Sequence, residues 1–530
     1  MKNPDSFRGR LAAFLLITVF VSSTASAANL PLPGAEATSS ITIRDLKRHL
    51  SFLASDELGG RYTLSPSINV AARYLASQLE SFGYRGGARG GSFFQKVPLA
   101  HRKVDSSASK LTINVGGAKQ EFKYGDDFAI ETPGEYDLSG DLIFVGYGVS
   151  SPDNNYDDYA KLDVKGKIVV MVMGSPATLS NAQVSEDEVY AGAAQAHGAR
   201  AAIAIPSPPL LAAWEQMKSF FQQESIGLPQ KSSDSKIPSF MAGPNLIKAI
   251  AAVMGKNETY LTQPAGKPLM PAPIGGSAQI NLKISVKDAP LAQNVVGILE
   301  GSDQKLKDEY LVISAHYDHL QTATSGEVFN GADDDGSGTS AILELAEAFA
   351  TGPRSKRSIL VVFHTGEEIG LFGSEFNTDY EPVVPLKNMV ADLNIDMIGR
   401  SREPGNNDPR DKELTDKDSI YIIGADKLST ELHKLNEQTN SETARMRFDY
   451  TYNDETHPEQ FYYRSDHYNY AKHGIPVIFY FTGVHSDYHR TTDDINKIDF
   501  EKMLRITRMV FATGWRIANM DTRLVVDKKP

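Results

Sequence analysis

The chain of 530 residues contains no cysteine. This absence excludes disulfide bonds, thiolate metal sites, a cysteine nucleophile and a lipid-modified N-terminal cysteine. A chain of this length can be stabilised by core burial instead, and the length favours two to four domains. Any metal ion that the protein binds must therefore be held by histidine, aspartate and glutamate side chains.

Long basic runs are also missing, and the formal net charge is −12. This acidic balance argues against nucleic acids and anionic membrane surfaces as partners. Beyond the N-terminus, no stretch is apolar enough to span a membrane. The composition is otherwise typical of a soluble globular protein, with 41% hydrophobic and 23% charged residues.

The N-terminus has the pattern of a secretory signal. Lys2, Arg8 and Arg10 precede the apolar stretch "LAAFLLITVFV", and the small-residue motif Ala25-Ser26-Ala27 follows it. This pattern predicts a signal peptide over residues 1–27, cleaved after Ala27, with an uncleaved membrane anchor as the alternative. We therefore expect a protein exported to a periplasm or to the medium, without a membrane anchor once the signal is removed.

Hydrophobic patterning divides the mature chain into segments. Residues 28–133 begin with two helical patterns, residues 134–285 read as a separate β-rich module, and residues 521–530 read as a solvated tail. In residues 286–520, near-continuous apolar strands alternate with helices, and this predicts a mostly parallel sheet covered on both faces. The expected fold class is therefore α/β, a three-layer α/β/α domain, split by the β-rich insertion.

Two adjacent carboxylates, Glu367 and Glu368, follow the apolar run Ile359–Phe363 in "FHTGEEIG". Like charges at the end of a buried strand repel each other and lose solvation. A pair of glutamates is usually a solvated face. At this position, however, the pair indicates that a positive charge lies nearby.

Histidine and carboxylate residues mark the ends of several other predicted strands. In open α/β sheets, ligands bind at the carboxyl ends of the strands. A lone histidine there is commonly structural, and "DDD" before glycine is usually a turn or helix cap. Repetition at several strand ends instead predicts Zn²⁺, with Mn²⁺ or Co²⁺ as substitutes, and as two ions that share a bridging carboxylate. The residues are His316, Asp318, Asp333, Asp334, Asp335, Glu367, Glu368, Asp396, His485 and His489.

The ordered set "H-x-D … G-A-x-D-x-G-S-G … E-E … N-x-D-M-I-G … Y-H" resembles the two-zinc aminopeptidases of metallopeptidase family twenty-eight. The resemblance covers residues 293–520, and "FLASDELGGR" near the N-terminus is similar to the same family. Residues 134–285, with "GYGVSSPDNNYDDYAKLDVKGKIVVM", resemble the protease-associated (PA) domain that is often inserted in these enzymes.

The resemblance implies a role for each matching residue. His316 and Asp396 would hold one zinc ion, Glu368 and His489 the other, and Asp334 would bridge both. Asp318 would orient His316. The resemblance also implies a cis peptide bond between Asp334 and Asp335.

It further implies the chemistry. Glu367 would be the general base for a zinc-activated water. Tyr488 would stabilise the oxyanion, and Arg464 in "RSDH" would contact the product carboxylate; a packed aromatic ring and a surface ion pair are the structural alternatives for these two. The remaining nearby residues are expected to be turn, supporting or structural residues: Asp333, Asp335, His319, His364, His467 and His485.

The resulting hypothesis is an exported exopeptidase that removes N-terminal residues from peptides. A carboxypeptidase or dipeptidase, and an amidohydrolase acting on N-acyl amino acids, stay open because the same two-metal chemistry serves all of them. "GADDDGSGTSA" argues against the amidohydrolase, and the full set of ligands argues against a single-zinc glutaminyl cyclase. A non-catalytic binding protein on this scaffold is the alternative from another class, and such proteins lose ligands or the base.

Overall fold

The computed structural model describes residues 30–131, 134–179, 189–229, 237–263, 268–454 and 457–529. The predicted signal peptide, residues 1–27, lies outside these ranges and stays a prediction. Within them, no helix combines the length and the apolar character that crossing a bilayer requires.

Residues that flank the insertion form one large mixed sheet. Its four central strands run parallel, as the sequence predicts. Both flanking pairings are antiparallel, so the sheet is mixed rather than mostly parallel. Apolar patterning reports that a strand is buried but not its direction. Nine strands of the described chain belong to this sheet, in the order Arg85–Gly86, Ala292–Leu299 (also paired with Phe94–Val97), Ser358–His364, Tyr310–His316, Met389–Ile395, Val477–Phe481, Ser419–Ile423 and Arg447–Asp449.

Helices cover both faces of this sheet, which confirms the α/β class. Alternate residues of one strand divide between two cores, because side chains of a strand point to opposite faces. Leu311 and Ile313 pack into the larger core, whereas Val312 packs into the smaller one with Tyr470. Helices on the first face are Ile43–Leu53, Ile68–Ser81, Gly336–Ala350, Thr430–Glu442 and Phe500–Asn519, and His467–Ala471 lies on the second.

A second sheet forms the β-rich unit. Its eight strands, counted over the described residues, are Lys110–Val115, Ala118–Lys123, Phe128–Ile130, Tyr136–Phe144, Ile168–Val172, Ala201–Ile205, Ser239–Ala242 and Ala272–Leu282. Helices Tyr190–Ala196, Trp214–Phe221 and Pro244–Val253 accompany it. Three of the strands precede residue 134, so the sheet crosses the predicted start of the insertion.

A small three-stranded sheet joins the two units. Ala100–Val104 pairs antiparallel with Ile284–Asp288 on one side and with Ser225–Gly227 on the other. Val104 lies opposite Ile284 in this register. The chain therefore leaves the first unit near residue 100 and returns near residue 288. The predicted boundaries of the insertion are 134 and 285, and this pairing favours a unit that begins earlier, near residue 100.

Candidate metal centre

Three central strands deliver candidate ligands to one edge of the large sheet. Tyr310–His316 ends in His316, Met389–Ile395 is followed by Asp396, and Ser358–His364 is followed four residues later by Glu368. Because these strands are parallel, their carboxyl ends meet at the same edge. The side chains that the sequence places at separate strand ends are therefore close in space.

Asp334 enters from the loop before helix Gly336–Ala350. Its peptide bond to Asp335 is cis, as the resemblance implies. Asp335 caps the helix, because its Oδ1 accepts a hydrogen bond from the Gly338 amide at 2.8 Å. A Cβ at Gly338 would lie 2.4 Å from the Ile395 carbonyl oxygen, so only glycine allows the helix to approach this strand end so closely.

The first candidate site consists of His316, Asp334 and Asp396, whose ligand atoms all lie within 4.8 Å of one another. His316 Nε2 is 3.3 Å from Asp334 Oδ1 and 3.6 Å from Asp396 Oδ1. The other Asp396 oxygen accepts a hydrogen bond from Ser465 Oγ at 2.8 Å. Asp396 Oδ1 is thus left to face the imidazole.

The second candidate site shares Asp334. His489 Nε2 lies 3.2 Å from Asp334 Oδ2 and 3.0 Å from Glu368 Oε2. The two oxygens of Asp334 therefore face different groups, Oδ1 toward His316 and Oδ2 toward His489. This is the arrangement that a bridging carboxylate requires.

His319 also lies at the second site, where the sequence predicts a supporting or structural residue. Its Nδ1 lies 2.5 Å from Glu368 Oε1 and 3.7 Å from Asp334 Oδ2. These three side chains are close enough together to hold a cation. The 2.5 Å contact is itself a hydrogen bond, however, so His319 orients Glu368 and leaves Glu368 Oε2 beside His489 as the ligand atom. The signal was the spacing His316-x-x-His319 at a strand end, which places two imidazoles at the same edge.

Buried polar atoms without hydrogen bonds test whether a cation fits here. Asp334 Oδ2 and His489 Nε2 are both buried and, in the part of the chain that the structure describes, neither has a hydrogen-bond partner. Such atoms cost free energy unless something satisfies them. Oxygen and imidazole donors without sulfur are what Zn²⁺ accepts, so the residues present fit the ion.

The electrostatics of the site separate its carboxylates. Burial opposes the charged form of Asp334, but the imidazoles of His319, His316 and His489 outweigh burial and hold its pKa well below the usual range. Burial alone would lower the pKa of His489, yet its contacts with Asp334 and Glu368 raise it to about 10. The bridging position is therefore strongly anionic, as a shared cation ligand should be.

Glu367 behaves in the opposite way. Burial, reinforced by the nearby Glu368 and Asp396 carboxylates, raises the pKa of Glu367 well above its usual range, although His316 opposes this. The Glu367 carboxylate lies 3.9 Å from His316 Nε2, outside hydrogen-bond distance. Of the two adjacent glutamates, Glu367 is thus the one whose environment favours accepting a proton.

Comparison with protein families agrees with this geometry. Residues 294–514 match the model of Peptidase family M28. This part of the chain is therefore a Peptidase family M28 segment.

Curated relatives of the M28 segment carry related names. An aminopeptidase from Bacillus subtilis, YwaD, is 33% identical over 24% of this chain and 26% of its own length. A probable leucine aminopeptidase from Arthroderma otae is 26% identical over 42% of this chain and 57% of its own. A probable zinc metalloprotease from Pyrenophora tritici-repentis is 27% identical over 42% and 56%. The chain thus spans between a quarter and three fifths of the length of these relatives.

Two solved aminopeptidase structures also align with most of this chain. An aminopeptidase from Aneurinibacillus sp. strain AM-1 aligns with 93% of this chain and 98% of its own, at 20% identity and a TM-score of 0.46. BSAP, a zinc aminopeptidase from Bacillus subtilis, aligns with 91% and 95% at 21% identity and a TM-score of 0.41.

The M28 segment places Asp318 differently from the expected orienting role. The Asp318 backbone carbonyl oxygen lies 3.1 Å from His316 Nδ1, whereas the Asp318 carboxylate oxygen Oδ1 lies 3.8 Å from the same nitrogen. That carboxylate instead accepts hydrogen bonds from Thr63 Oγ1 at 2.6 Å and from the Glu367 amide at 3.2 Å. Asp318 therefore contacts His316 through its backbone carbonyl and Glu367 through its side-chain carboxylate.

Tyr488 and Arg464 line the same cleft as the candidate ligands. The Tyr488 ring stacks on His489 with centroids 3.8 Å apart, and burial together with the nearby Asp334 and Glu368 raises the Tyr488 pKa. Arg464 is half exposed and pairs with Glu459 Oε2 at 3.1 Å. Apolar side chains also line the cleft, namely Met397, Phe461, Phe479, Phe481 and Val484.

The remaining expected residues support loops. Asp333 accepts a hydrogen bond from the Gly399 amide at 2.6 Å and lies 3.2 Å from His485 Nε2. His364 contacts the Tyr470 hydroxyl at 3.2 Å, and His467 is buried against Phe479. None of these contacts reaches the two candidate cation sites.

Proposed function

We propose that this protein is an exported two-zinc aminopeptidase. The observation that carries the proposal is the division of Asp334 between two ligand groups, one with His316 and Asp396 and the other with Glu368 and His489. Glu367 lies beside both groups in an open cleft. A shared carboxylate with an adjacent proton acceptor matches the requirements of two-metal hydrolysis.

The ligand set would hold one zinc ion through His316, Asp396 and Asp334, and the other through Glu368, His489 and Asp334. When bound, the ions supply Lewis acidity toward the scissile carbonyl and toward a water molecule. Mn²⁺ and Co²⁺ accept the same donors and are the substitutes that we propose.

Glu367 is the general base in this proposal. Its carboxylate takes the proton from the attacking water and returns it to the leaving amine nitrogen. The Asp318 carboxylate fixes the Glu367 backbone amide at 3.2 Å and so limits where the Glu367 side chain can reach. The raised pKa of Glu367 makes it a better proton acceptor than an ordinary surface glutamate.

Tyr488 and Arg464 complete the proposed machinery. The Tyr488 hydroxyl donates to the oxyanion that forms from the scissile carbonyl, because its raised pKa keeps the phenol protonated. Arg464 exchanges its half-exposed partner Glu459 for a substrate or product carboxylate.

Peptides with a free N-terminal amine are the proposed substrates, since several relatives are named aminopeptidases. A carboxypeptidase or dipeptidase is the second candidate, because Arg464 offers a carboxylate partner in the cleft and one relative is named a probable glutamate carboxypeptidase, from Arthroderma benhamiae. An N-acyl amino acid amidohydrolase remains the third.

Matched peptides distinguish these activities. The purified enzyme is assayed on one peptide series with free and acetylated N-termini, and with free and amidated C-termini, with and without a metal chelator. Chelator-sensitive cleavage that requires the free amine supports the aminopeptidase. Cleavage of acetylated peptides that requires a free carboxylate would favour a carboxypeptidase instead.

The β-rich unit is proposed as a PA domain that restricts access to short peptides. Leu228 from this unit packs with Phe376, in the cluster that also receives Ile369 and Phe372, directly after Glu368. Deleting residues 105–283 and joining Val104 to its register neighbour Ile284 should speed cleavage of long peptides and leave amino-acid anilides unaffected. Unchanged rates on both, in a folded protein, would contradict this role.

A further inference from the structure

Three consecutive backbone amides before the cis bond all bind the same residue. The Ala332 amide donates to the Asp493 carbonyl oxygen at 3.0 Å. The Asp333 and Asp334 amides donate to one carboxylate oxygen, Asp493 Oδ2, at 2.9 and 3.2 Å. The Asp493 side chain is fully buried, so water does not compete for these bonds.

Asp493 connects loops that are distant in the chain. It follows His489 by four residues, while the amides that it accepts belong to the loop of Asp334. Its second oxygen, Oδ1, lies 3.6 Å from Arg400 Nη1, on the segment that follows Asp396. The Asp493 carboxylate therefore connects its own segment, which bears His489, to two others that bear the candidate ligands Asp334 and Asp396.

We propose that Asp493 is a positioning residue that sets the separation between Asp334 and His489. Two successive amides that point at one oxygen fix the orientation of both peptide planes, and hence the direction of the Asp334 side chain. Hydrogen bonds to a carboxylate are stronger than those between neutral groups, so the register is stiff. The inference rests on the proposed two-cation site and adds to it a residue outside the ligand set.

The neighbouring Asp494 offers a matched control. It carries the same charge one position later, and its Oδ1 accepts a hydrogen bond from Asn330 Nδ2 at 3.1 Å rather than from the backbone of the Asp334 loop. Asp494→Ala therefore removes an equal charge from the same loop while leaving the three amide contacts intact.

The test measures zinc binding directly. Wild type, Asp493→Ala, Asp493→Asn and Asp494→Ala are stripped of metal and titrated with zinc against a competing chelator, and with cobalt for its absorption spectrum. Circular dichroism verifies folding. We expect Asp493→Ala to lose affinity for zinc by about 10–100-fold, the usual effect of removing a group that orients a ligand.

Asp493→Asn should lose less, because an amide oxygen still accepts hydrogen bonds, and its cobalt spectrum should lie between those of wild type and Asp493→Ala. Asp494→Ala should bind like wild type. In turnover assays of the Asp493 variants, kcat should fall by a larger factor than KM changes. Wild-type zinc affinity in either folded Asp493 variant, or an equal loss in Asp494→Ala, would overturn the inference. A wild-type protein that binds no zinc pair would instead refute the proposed site.

Discussion

His319 Nδ1 lies 2.5 Å from Glu368 Oε1, and both side chains are buried. A hydrogen bond from this nitrogen occupies one carboxylate oxygen and leaves Glu368 Oε2, 3.0 Å from His489 Nε2, as the oxygen that remains for a cation. Partners of this kind fix the orientation of a ligand and are nearly as important as the ligand itself. His319 should therefore determine how Glu368 binds metal.

His319→Leu removes this partner while keeping a buried side chain of similar bulk. We expect the affinity for one of the two proposed zinc ions to fall by about 10–100-fold, as is typical when such a partner is lost. His319→Gln, which can still donate a hydrogen bond, should lose less. The measurement is a zinc titration in competition with a chelator.

A suitable control for His319→Leu is His364→Leu. His364 is also a buried imidazole at a strand end, but its contact is the Tyr470 hydroxyl at 3.2 Å. This variant should keep both zinc affinities even if its stability falls. Equal zinc affinity in His319→Leu and in the wild-type protein would show that the contact with Glu368 has no role in metal binding.

Glu367 and Glu368 are adjacent in the chain, but substitution of Glu367 should impair turnover, whereas substitution of Glu368 should impair zinc binding. Glu367→Gln should retain both zinc ions and lose about 10²–10⁴ in kcat, the usual contribution of a general base. Glu368→Ala should lose one zinc ion, because His489 and Asp334 alone remain at that position. Zinc content by atomic absorption, combined with steady-state kinetics, distinguishes the two.

Full activity in Glu367→Gln would end the role of Glu367 as base. A zinc content in Glu367→Gln as low as in Glu368→Ala would show that Glu367 binds metal instead. The two substitutions thus serve as controls for each other, since they alter neighbouring carboxylates of the same loop.

The sequence could predict the central strands and the residues at their ends. Each of these strands is an unbroken apolar run, and the position of a polar residue after such a run follows directly from the chain. Parallel strands then bring His316 and Asp396 together without further information. That part of the site depends only on local pattern and one rule of topology.

Other features depend on pairings between distant residues. Lys110–Val115 pairs with Ala272–Leu282, more than 150 residues later, so its membership of the second sheet could not be seen in its local pattern. The contact of His319 with Glu368 and the change of partner at Asp318 depend on side-chain geometry within about one ångström. Spacing in the sequence does not resolve such differences.

Arg61 is a completely buried arginine near Asp334, and the effect of its removal on the free energy of unfolding can be predicted. Burial lowers its pKa, which the surrounding carboxylates, Asp334 first, oppose. Arg61→Met should lower the free energy of unfolding by at least about 3 kcal/mol, because each buried carbonyl left without a donor costs about 1–3 kcal/mol. The guanidinium donates to the carbonyl oxygens of Leu53, Tyr317, Asn330 and Gly331.

Urea denaturation of Arg61→Met measures this loss, and Arg44→Met is its control because the Arg44 side chain is 88% exposed. Arg61→Lys should be intermediate, since an ammonium group reaches fewer of the four carbonyls. A change in Arg61→Met as small as that in Arg44→Met would mean that water or rearranged backbone replaces the guanidinium.

His467 makes the stability of the fold depend on pH. The ring is buried against Phe479, with centroids 4.8 Å apart, and burial lowers the pKa of His467 to about 3. The folded protein therefore keeps this ring neutral while the unfolded chain takes up a proton below about pH 6.5. Because the unfolded state binds more protons in that window, stability falls as the pH drops from about 6.5 toward 3.

His467→Phe removes this titration and keeps an aromatic ring in the core. Between about pH 5.5 and 4, the free energy of unfolding of wild type should fall more steeply than that of the variant, by about 1.4 kcal/mol per pH unit. Denaturant melts at a series of pH values measure both slopes, and the difference cancels the contributions of all other groups. Parallel curves would mean that the ring is protonated in the folded protein, in which case burial of the imidazolium is offset by a partner that holds its charge.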